Sequence, residues 1–200
     1  MRLFAHLPAW TVVALLAACS VLPKAESPEI YRLPATPLPH AQASAASWSL
    51  RVNTPQAERM IDSSRIAVLP EGNVVSVYQG ARWSDTATTL LRNRLIDAFR
   101  DDGRLPSVSS DDNALAADVT LAGDLRAFQS EYQGKTPTIV IRFDARLVQN
   151  GSLRVIATRR FDVNQSVGGT TVPQVVTAFG QASDTLAAQL VAWTLQQPVP

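Results

Sequence analysis

Apolar and polar residues alternate along several stretches of the chain, and this period of two residues predicts strands with one buried face. The long stretches are residues 118–128, 139–148 and 153–163, and the shorter ones are residues 48–53, 65–70 and 74–78. Glu-Gly-Asn separates the last two and predicts a hairpin between them. Two further short strands are expected at residues 30–33 (IYRL) and 105–108.

Two other stretches carry apolar residues at steps of three and four, which is the period of a helix packed on one side. The first helix is predicted over residues 83–100, and Gly103 is expected to end it. The second helix is predicted to begin after a capping Thr170 or Thr171 and to run to about Leu195.

The loop between the last two long strands allows two registers. A two-residue turn at Asn150-Gly151 would set Leu147 opposite an arginine. A three-residue loop with Gly151 in the left-handed conformation pairs Leu147 with Leu153 and keeps the apolar residues together. Because register follows the buried face, we predict the three-residue loop. Arg159 then stays on the buried side as a polar residue without an explanation.

Together these elements predict an α+β domain, a two-layer sandwich in which amphipathic helices pack on one face of an antiparallel sheet. Residues 48–200 have the length of one domain.

The start of the chain has the three zones of a secretory signal: a basic residue, an apolar run, and small residues before Cys19. The apolar run is about half of the roughly 20 residues that a membrane-spanning helix needs. The LAAC sequence resembles the bacterial lipobox, which implies that residues 1–18 are removed and that Cys19 carries diacylglycerol and an N-acyl chain. The alternative is a buried cysteine that packs as a small apolar residue.

Residues 19–47 are rich in proline, alanine and serine. This composition cannot bury a core, so it predicts a linker between the lipid and the domain. Cys19 is the single cysteine, so the domain is expected to fold without disulfides. By resemblance to lipoprotein sorting signals, Ser20 implies attachment to the outer membrane, with the domain facing the periplasm.

Charge and histidine content exclude several classes of function. Removal of residues 1–18 takes away one arginine and no acidic residue, which leaves 17 basic and 17 acidic residues. This balance argues against a nucleic-acid-binding protein. The mature chain keeps one histidine, His40, in the predicted linker. Neither a Ser-His-Asp triad nor a histidine metal cluster can therefore be assembled.

The remaining candidate motifs are weak. Residues 101–102 and 111–112 are aspartate pairs at predicted helix ends or turns, where aspartate is common. A calcium loop starting at the second pair would need glycine where Ala116 stands. Residues 134–136 (GKT) match the end of a P-loop but lack its first glycine and a following helix. We therefore predict no enzyme activity, no metal and no cofactor apart from the acyl chains.

Exposed side chains remain as candidates for docking a partner. Arg126, Arg142 and Arg146 lie on the outer face of the predicted sheet, and Tyr78 and Trp83 flank the corner between the hairpin and the first helix. Mixed charge on a sheet face is also typical of a solvated surface. Aromatic residues at such a corner also serve as core anchors.

The order of these features resembles the ABC-type transport auxiliary lipoproteins, which include the paraquat-inducible protein C-like lipoproteins of MCE (mammalian cell entry) lipid transport systems. The resemblance is carried by LAACS, IYRL, RIAVLP, YQGARWSD, LLRNRLIDAF and DVTLAGDLRAF. It implies a non-catalytic outer-membrane partner for a permease, an ATPase and a periplasmic MCE subunit. The SSDDN turn at residues 109–113 has no counterpart in the family pattern.

Two interpretations follow. In the first, the domain is a docking adaptor between the outer membrane and the MCE subunit. In the second, the domain itself binds a lipid or another apolar ligand between its helices and its sheet. A hydrolase lacks a candidate base. Self-association into a homo-oligomer is left open, because nothing in the sequence counts subunits.

Overall fold

The computed structural model describes residues 27–42, 45–113 and 115–199. Within these residues the chain forms the predicted α+β fold, with one sheet and two packed helices. The helices are α1 (Ala87–Asp102) and α2 (Val172–Leu195), with a 3-10 helix at Asp111–Asn113. The strands are β1 (Glu29–Tyr31), β2 (Leu50–Val52), β3 (Gln56–Ala57), β4 (Arg65–Glu71), β5 (Val74–Trp83), β6 (Val108–Ser110), β7 (Val119–Gln133), β8 (Thr136–Gln149) and β9 (Arg154–Ser166).

The sheet is mixed, with β7 at its centre. On one side β8 pairs antiparallel with the whole of β7, and β9 pairs antiparallel with β8. On the other side β2, β3 and β4 pair in turn with successive parts of β7, all parallel. The expected antiparallel pairing holds for β4–β5 and for β7–β8–β9, whereas β1–β5 and β2–β6 are also parallel. Side-chain alternation predicts a strand but carries no information on the direction of its neighbour, which is why these pairings were missed.

Helix α1 has a cap at each end. The Thr86 hydroxyl accepts a hydrogen bond from the Thr89 N–H at 3.4 Å, and Gly103 ends the helix with a left-handed φ of 78°. A left-handed residue after a helix favours glycine because it has no Cβ. The helix begins at Ala87, four residues after the predicted start at residue 83, because β5 continues to Trp83 instead of ending at residue 78.

Helix α2 matches its prediction closely. Thr171 is the residue before the helix, and the Gln174 side-chain oxygen accepts hydrogen bonds from the Thr171 N–H at 3.2 Å and from its hydroxyl at 2.7 Å. Pro173 lies in the first turn, where its missing N–H costs nothing. The helix ends at Leu195.

The helices cover one face of the sheet and form the core with it. Helix α2 packs on β8 and β9, and α1 packs on α2, β2 and β6. Fully burying a Leu, Ile or Phe side chain contributes about 1.5–3 kcal/mol. On β8 every second side chain from residue 139 to residue 147 is buried; these are Ile139, Ile141, Phe143, Ala145 and Leu147.

The predicted register of the β8–β9 hairpin is wrong, although its parity is right. Leu147 lies opposite Ala157, not Leu153, because four residues form the turn and a bulge follows Leu147. The left-handed residue is Leu153, with φ 56°, and not Gly151. Arg159 shares a face with buried Phe161, and its guanidinium lies 4.8 Å from the centre of that ring. The arginine is itself exposed, which explains how this face tolerates it.

Candidate functional site

The predicted lipidation site, Cys19, lies outside the described residues. The structure describes the chain from residue 27 onward. Residues 29–42, which we call the N-terminal strap, lie against the domain instead of extending away from it. The predicted strand at residues 30–33 is present as β1, which pairs with β5. The predicted linker over residues 19–47 is therefore too long, since it includes this packed segment.

A buried ion pair holds the middle of the strap. Arg94 on α1 donates from Nε to Asp184 on α2 at 2.6 Å and from Nη2 to the Thr36 carbonyl at 2.8 Å. Asp184 in turn accepts the Thr36 N–H at 3.0 Å. The Arg94 side chain is 2% exposed, so its charge depends on these partners. One pair of side chains thereby ties α1, α2 and the strap together.

The end of the strap follows the end of α1. The Asp101 carboxylate accepts the Leu38 N–H at 3.1 Å, and the Asp102 carbonyl accepts the Ala41 N–H at 3.0 Å. On α2, a Cβ added to Gly180 would lie 2.8 Å from the Pro34 carbonyl oxygen. This close approach requires glycine, so Gly180 serves as a seat for the strap.

Three predicted docking residues are brought together on the sheet face that the helices leave uncovered. Arg126, Arg142 and Arg146 each form an ion pair with an aspartate of the same face. We call this surface the charged face; its residues are Asp124, Arg126, Arg142, Asp144, Arg146, Arg160 and Asp162. Between β8 and β9, opposite charges face each other in the cross-strand pairs Arg142–Asp162 and Asp144–Arg160. Asp124 of β7 lies opposite Asp144 and is paired with Arg126 and Arg146 instead.

Asp144 lies at the centre of the charged face. Arg160 donates to it from Nε at 2.5 Å and from Nη2 at 2.9 Å, and Arg126 donates at 3.2 Å. The hydrogen bonds from Arg160, with a smaller contribution from Arg126, lower the pKa of Asp144 to about 2. The carboxylate is therefore charged at neutral pH, and the face presents paired charges of both signs.

The two aromatic docking candidates, Tyr78 and Trp83, are less exposed than the arginines of the charged face. Trp83 is 3% exposed and lies 5.2 Å from Phe179 and 6.3 Å from Phe128, ring centre to ring centre. Trp83 is therefore a core residue, and its side chain is not available to a docking partner. Tyr78 is half-buried, with its hydroxyl 3.1 Å from Ser130 Oγ. Burial raises the pKa of the Tyr78 phenol, and the bond with Ser130 offsets this only in part.

The aspartate pair at residues 111–112 binds an arginine. Arg92 Nη1 lies 2.9 Å from Asp111 and 2.8 Å from Asp112. Burial alone would raise the pKa of Asp111, but hydrogen bonds from Thr54 and Arg92 outweigh it and lower that pKa. The pair therefore fixes α1 to the turn after β6.

The described residues hold neither a metal cluster nor a helix suited to a bilayer. No group of three or more His, Cys, Asp or Glu side chains is placed to hold a metal ion in residues 27–42, 45–113 and 115–199. Over the same ranges, neither helix combines the length and the apolar character that crossing a bilayer requires.

The strap and its ion pair were not identified from the sequence. Proline-rich composition suggested a linker, and Arg94 and Asp184 are 90 residues apart in the chain. One usable signal existed: Gly180 interrupts an otherwise continuous helical pattern, and a helix-interior glycine usually has a packing reason.

Comparison with known proteins gives a family match. Residues 31–191 match the family described as "ABC-type transport auxiliary lipoprotein component". A curated relative, an uncharacterized protein of Bradyrhizobium diazoefficiens, is 29% identical over 155 residues. That alignment covers 76% of this chain and only 41% of the longer relative.

Solved structures show the same fold. A crystal structure of a protein from Xanthomonas campestris is 36% identical and superposes with a TM-score of 0.77, covering 84% of this chain and 95% of that one. A second structure, of an uncharacterized protein, is 17% identical with a TM-score of 0.65, covering 84% of this chain and 99% of the other. The second comparison concerns the fold alone.

Proposed function

Because the chain belongs to the ABC-type transport auxiliary lipoprotein family, we propose that it is an outer-membrane lipoprotein that acts as a docking adaptor for an MCE-type lipid transport system. The family match over residues 31–191 carries the proposal. In this role the acyl chains on Cys19 hold the domain at the periplasmic side of the outer membrane. There it meets the MCE subunit of a permease and ATPase, and it catalyses no reaction itself.

The charged face supports docking to a protein partner. The arginine side chains of its ion pairs are 38–59% exposed, and in the Arg142–Asp162 pair both side chains are exposed, at 46% and 47%. Exposed pairs of this kind contribute only about 0–1 kcal/mol each to stability. A mosaic of both charges instead favours one orientation of a complementary partner and repels others. Arg126, Arg142 and Arg146 are the residues that we propose contact the MCE subunit.

The alternative, a lipid carried between the helices and the sheet, has less support. The space that such a ligand would need is occupied by side chains. Phe128, Phe143 and Phe179 are each at most 1% exposed at the helix–sheet interface. The pocket along the charged face is open and lined by charged residues, which suits a protein or water better than an acyl chain.

The anchor is tested by intact-mass analysis of the native protein purified from membranes. We expect a chain that begins at Cys19 and carries diacylglycerol and an N-acyl group. An unmodified amino terminus that retains residues 1–18 would contradict both the proposed membrane anchor and the adaptor role.

Docking is tested by photo-crosslinking in cells. A photoreactive amino acid is placed at Arg142 on the charged face, and a matched control is placed at Gln189, which is exposed on α2. We expect the probe at position 142 to capture the MCE subunit, identified by mass spectrometry, and the probe at position 189 not to. Recovery of no MCE or permease subunit from either position would contradict the adaptor role, whereas capture from position 189 alone would contradict the docking face.

A further inference from the structure

A second surface lies at the edge of the sheet where the strap begins. Strand register places Ile30 opposite Arg82, and Arg82 opposite Arg65, so these three side chains share one face. Val77 pairs with Ala67, two residues after Arg65, and this alternation brings Val75 to the same face. Ile30 is 70% exposed and Val75 is 49% exposed, and both arginines are exposed. We call Ile30, Arg65, Val75 and Arg82 the basic edge.

The two arginines of the basic edge, Arg65 and Arg82, lie directly opposite each other on β4 and β5. Like charges directly opposite on neighbouring strands are destabilising. On the charged face, Arg142 and Arg160 lie opposite aspartates. The like-charged Asp124 and Asp144 are also opposite each other there, but each is paired with arginines. Among the described residues, no carboxylate lies within 4.0 Å of Arg65 or Arg82. An anion from outside the domain would relieve this repulsion.

A pocket exists where such an anion would bind. Its volume is about 310 Å³, and Arg65, Arg82, Tyr78 and Pro28 are among the residues that line it. Guanidinium groups bind phosphate through paired hydrogen bonds. The acidic residue of this hairpin, Glu71, is at its turn, six positions from Arg65.

The basic edge is also the part of the domain that the anchor enters. Ser27 is eight residues after Cys19, so the acylated residue lies within about 29 Å of it at full extension. Strand β1 runs parallel to β5, so the described chain arrives from the side of the β4–β5 turn, where Val75 is exposed. The hairpin tip at Leu153 lies at the opposite end of β7, which is 15 residues long.

We propose that the basic edge lies on the bilayer, with Arg65 and Arg82 binding phosphate groups of lipid headgroups and with Ile30 and Val75 in the interfacial region. The inference rests on the Cys19 anchor of the proposed function. Basic residues next to exposed apolar side chains are the combination that binds anionic lipid surfaces. The anchored domain then has a fixed orientation on the membrane.

The experiment uses the full lipidated protein in vesicles of phosphatidylcholine, with or without phosphatidylglycerol. Cys19 is the one native cysteine and is acylated, so Val75→Cys gives a single site for an environment-sensitive fluorophore. Leu153→Cys at the far end of the domain is the matched control. We expect spin-labelled lipids to quench the label at position 75 severalfold more than the label at position 153.

The arginines are tested one at a time in the Val75→Cys protein. Arg65→Gln and Arg82→Gln should each weaken the membrane contact by about fivefold in vesicles containing phosphatidylglycerol, at about 1 kcal/mol per charge near the surface. Arg154→Gln, the same change at the far hairpin, should leave quenching unchanged. Thermal unfolding of each variant confirms that the exposed arginines are not needed for folding.

Two results would overturn the inference without touching the proposed function. One is a label at position 75 that is as accessible to water as the label at position 153 while the protein remains bound to vesicles. The other is quenching at position 75 that neither arginine substitution alters. Failure of the protein to float with vesicles at all would instead overturn the anchor, and the inference with it.

Discussion

At the scale of single residues, burial decides how much the ion pair of an arginine contributes to the free energy of unfolding. The Arg94 side chain is 2% exposed and pairs with Asp184, whose side chain is 19% exposed, whereas the Arg142 side chain is 46% exposed. Removing one member of a buried pair leaves an unpaired charge and costs about 3–5 kcal/mol. Removing one member of an exposed pair costs about 0–1 kcal/mol.

We therefore expect Arg94→Met to lower the free energy of unfolding by about 3–5 kcal/mol. Arg142→Met is the matched control and should change it by less than about 1 kcal/mol. Urea denaturation of the two variants measures both values. Equal effects would show that Arg94 is not the tie between the helices and the strap.

A second prediction at this scale concerns the acid titration of Asp144. Its carboxyl resonance should titrate near pH 2 by NMR, because Arg160 lowers its pKa to about 2. Arg160→Ala should move the midpoint up towards the ordinary value of about 3.9. Because the pKa of Asp144 is lower in the folded than in the unfolded state, its ion pair stabilises the fold above about pH 3.9. This stabilisation is lost as the pH falls through about 2. A titration that Arg160→Ala leaves unchanged would contradict the pairing.

At the scale of elements, the strap is held by the side chains of two helices as well as by its own strand β1. Its contacts extend from β1 to Ala41, and they depend on groups of α1 and α2. The strap can approach α2 this closely only because Gly180, which lies against Pro34, has no side chain. A change at one helix position should therefore release a segment that is remote in the chain.

Gly180→Ala tests this dependence, because helix propensity and the contact with Pro34 should change the stability in opposite directions. Alanine in a helix interior is favoured over glycine by about 0.8–1.0 kcal/mol, so a free α2 would be stabilised. With the strap in place, the added Cβ meets Pro34. We expect lower thermal stability and faster trypsin cleavage after Arg32. A more stable variant with unchanged cleavage would show that the strap is not seated there.

At the scale of the whole molecule, the acyl chains and the domain are expected to contribute very differently to membrane binding. More than one acyl chain gives stable attachment, whereas a small apolar and basic surface gives weak, reversible contact. The basic edge should therefore orient the domain, whereas its retention on the membrane should depend on the proposed acyl chains.

This difference predicts the behaviour of a mature chain that starts at Ser20. If the first nineteen residues are exchanged for a secretory signal without a lipobox, we expect the domain in the soluble periplasmic fraction. The wild-type protein should fractionate with the outer membrane. Thermal unfolding should be the same for both, because residue 19 precedes the domain. A Ser20 chain that stays on the membrane would show that the domain binds without its anchor.

Much of this architecture follows from local sequence. The strand at residues 139–148 and the helix ending at Leu195 were predicted closely, because alternation and capping depend only on neighbours in the chain. The strand at residues 118–128 was predicted correctly at its start but continues to Gln133. The α+β class followed from the same patterns. The charged arginines were placed correctly on the uncovered face, since side-chain parity along β8 alone decides which way they point.

What the sequence by itself determined is therefore both helices, most of the strands with their buried faces, and the family resemblance. Only the tertiary structure decided which strands run parallel, that Trp83 is a core residue and that residues 29–42 of the supposed linker pack on the domain. Each of these depends on residues far apart in the chain, such as Thr36, Arg94 and Asp184. Periodicity records whether a side chain is buried, but contact partners are chosen by packing in three dimensions.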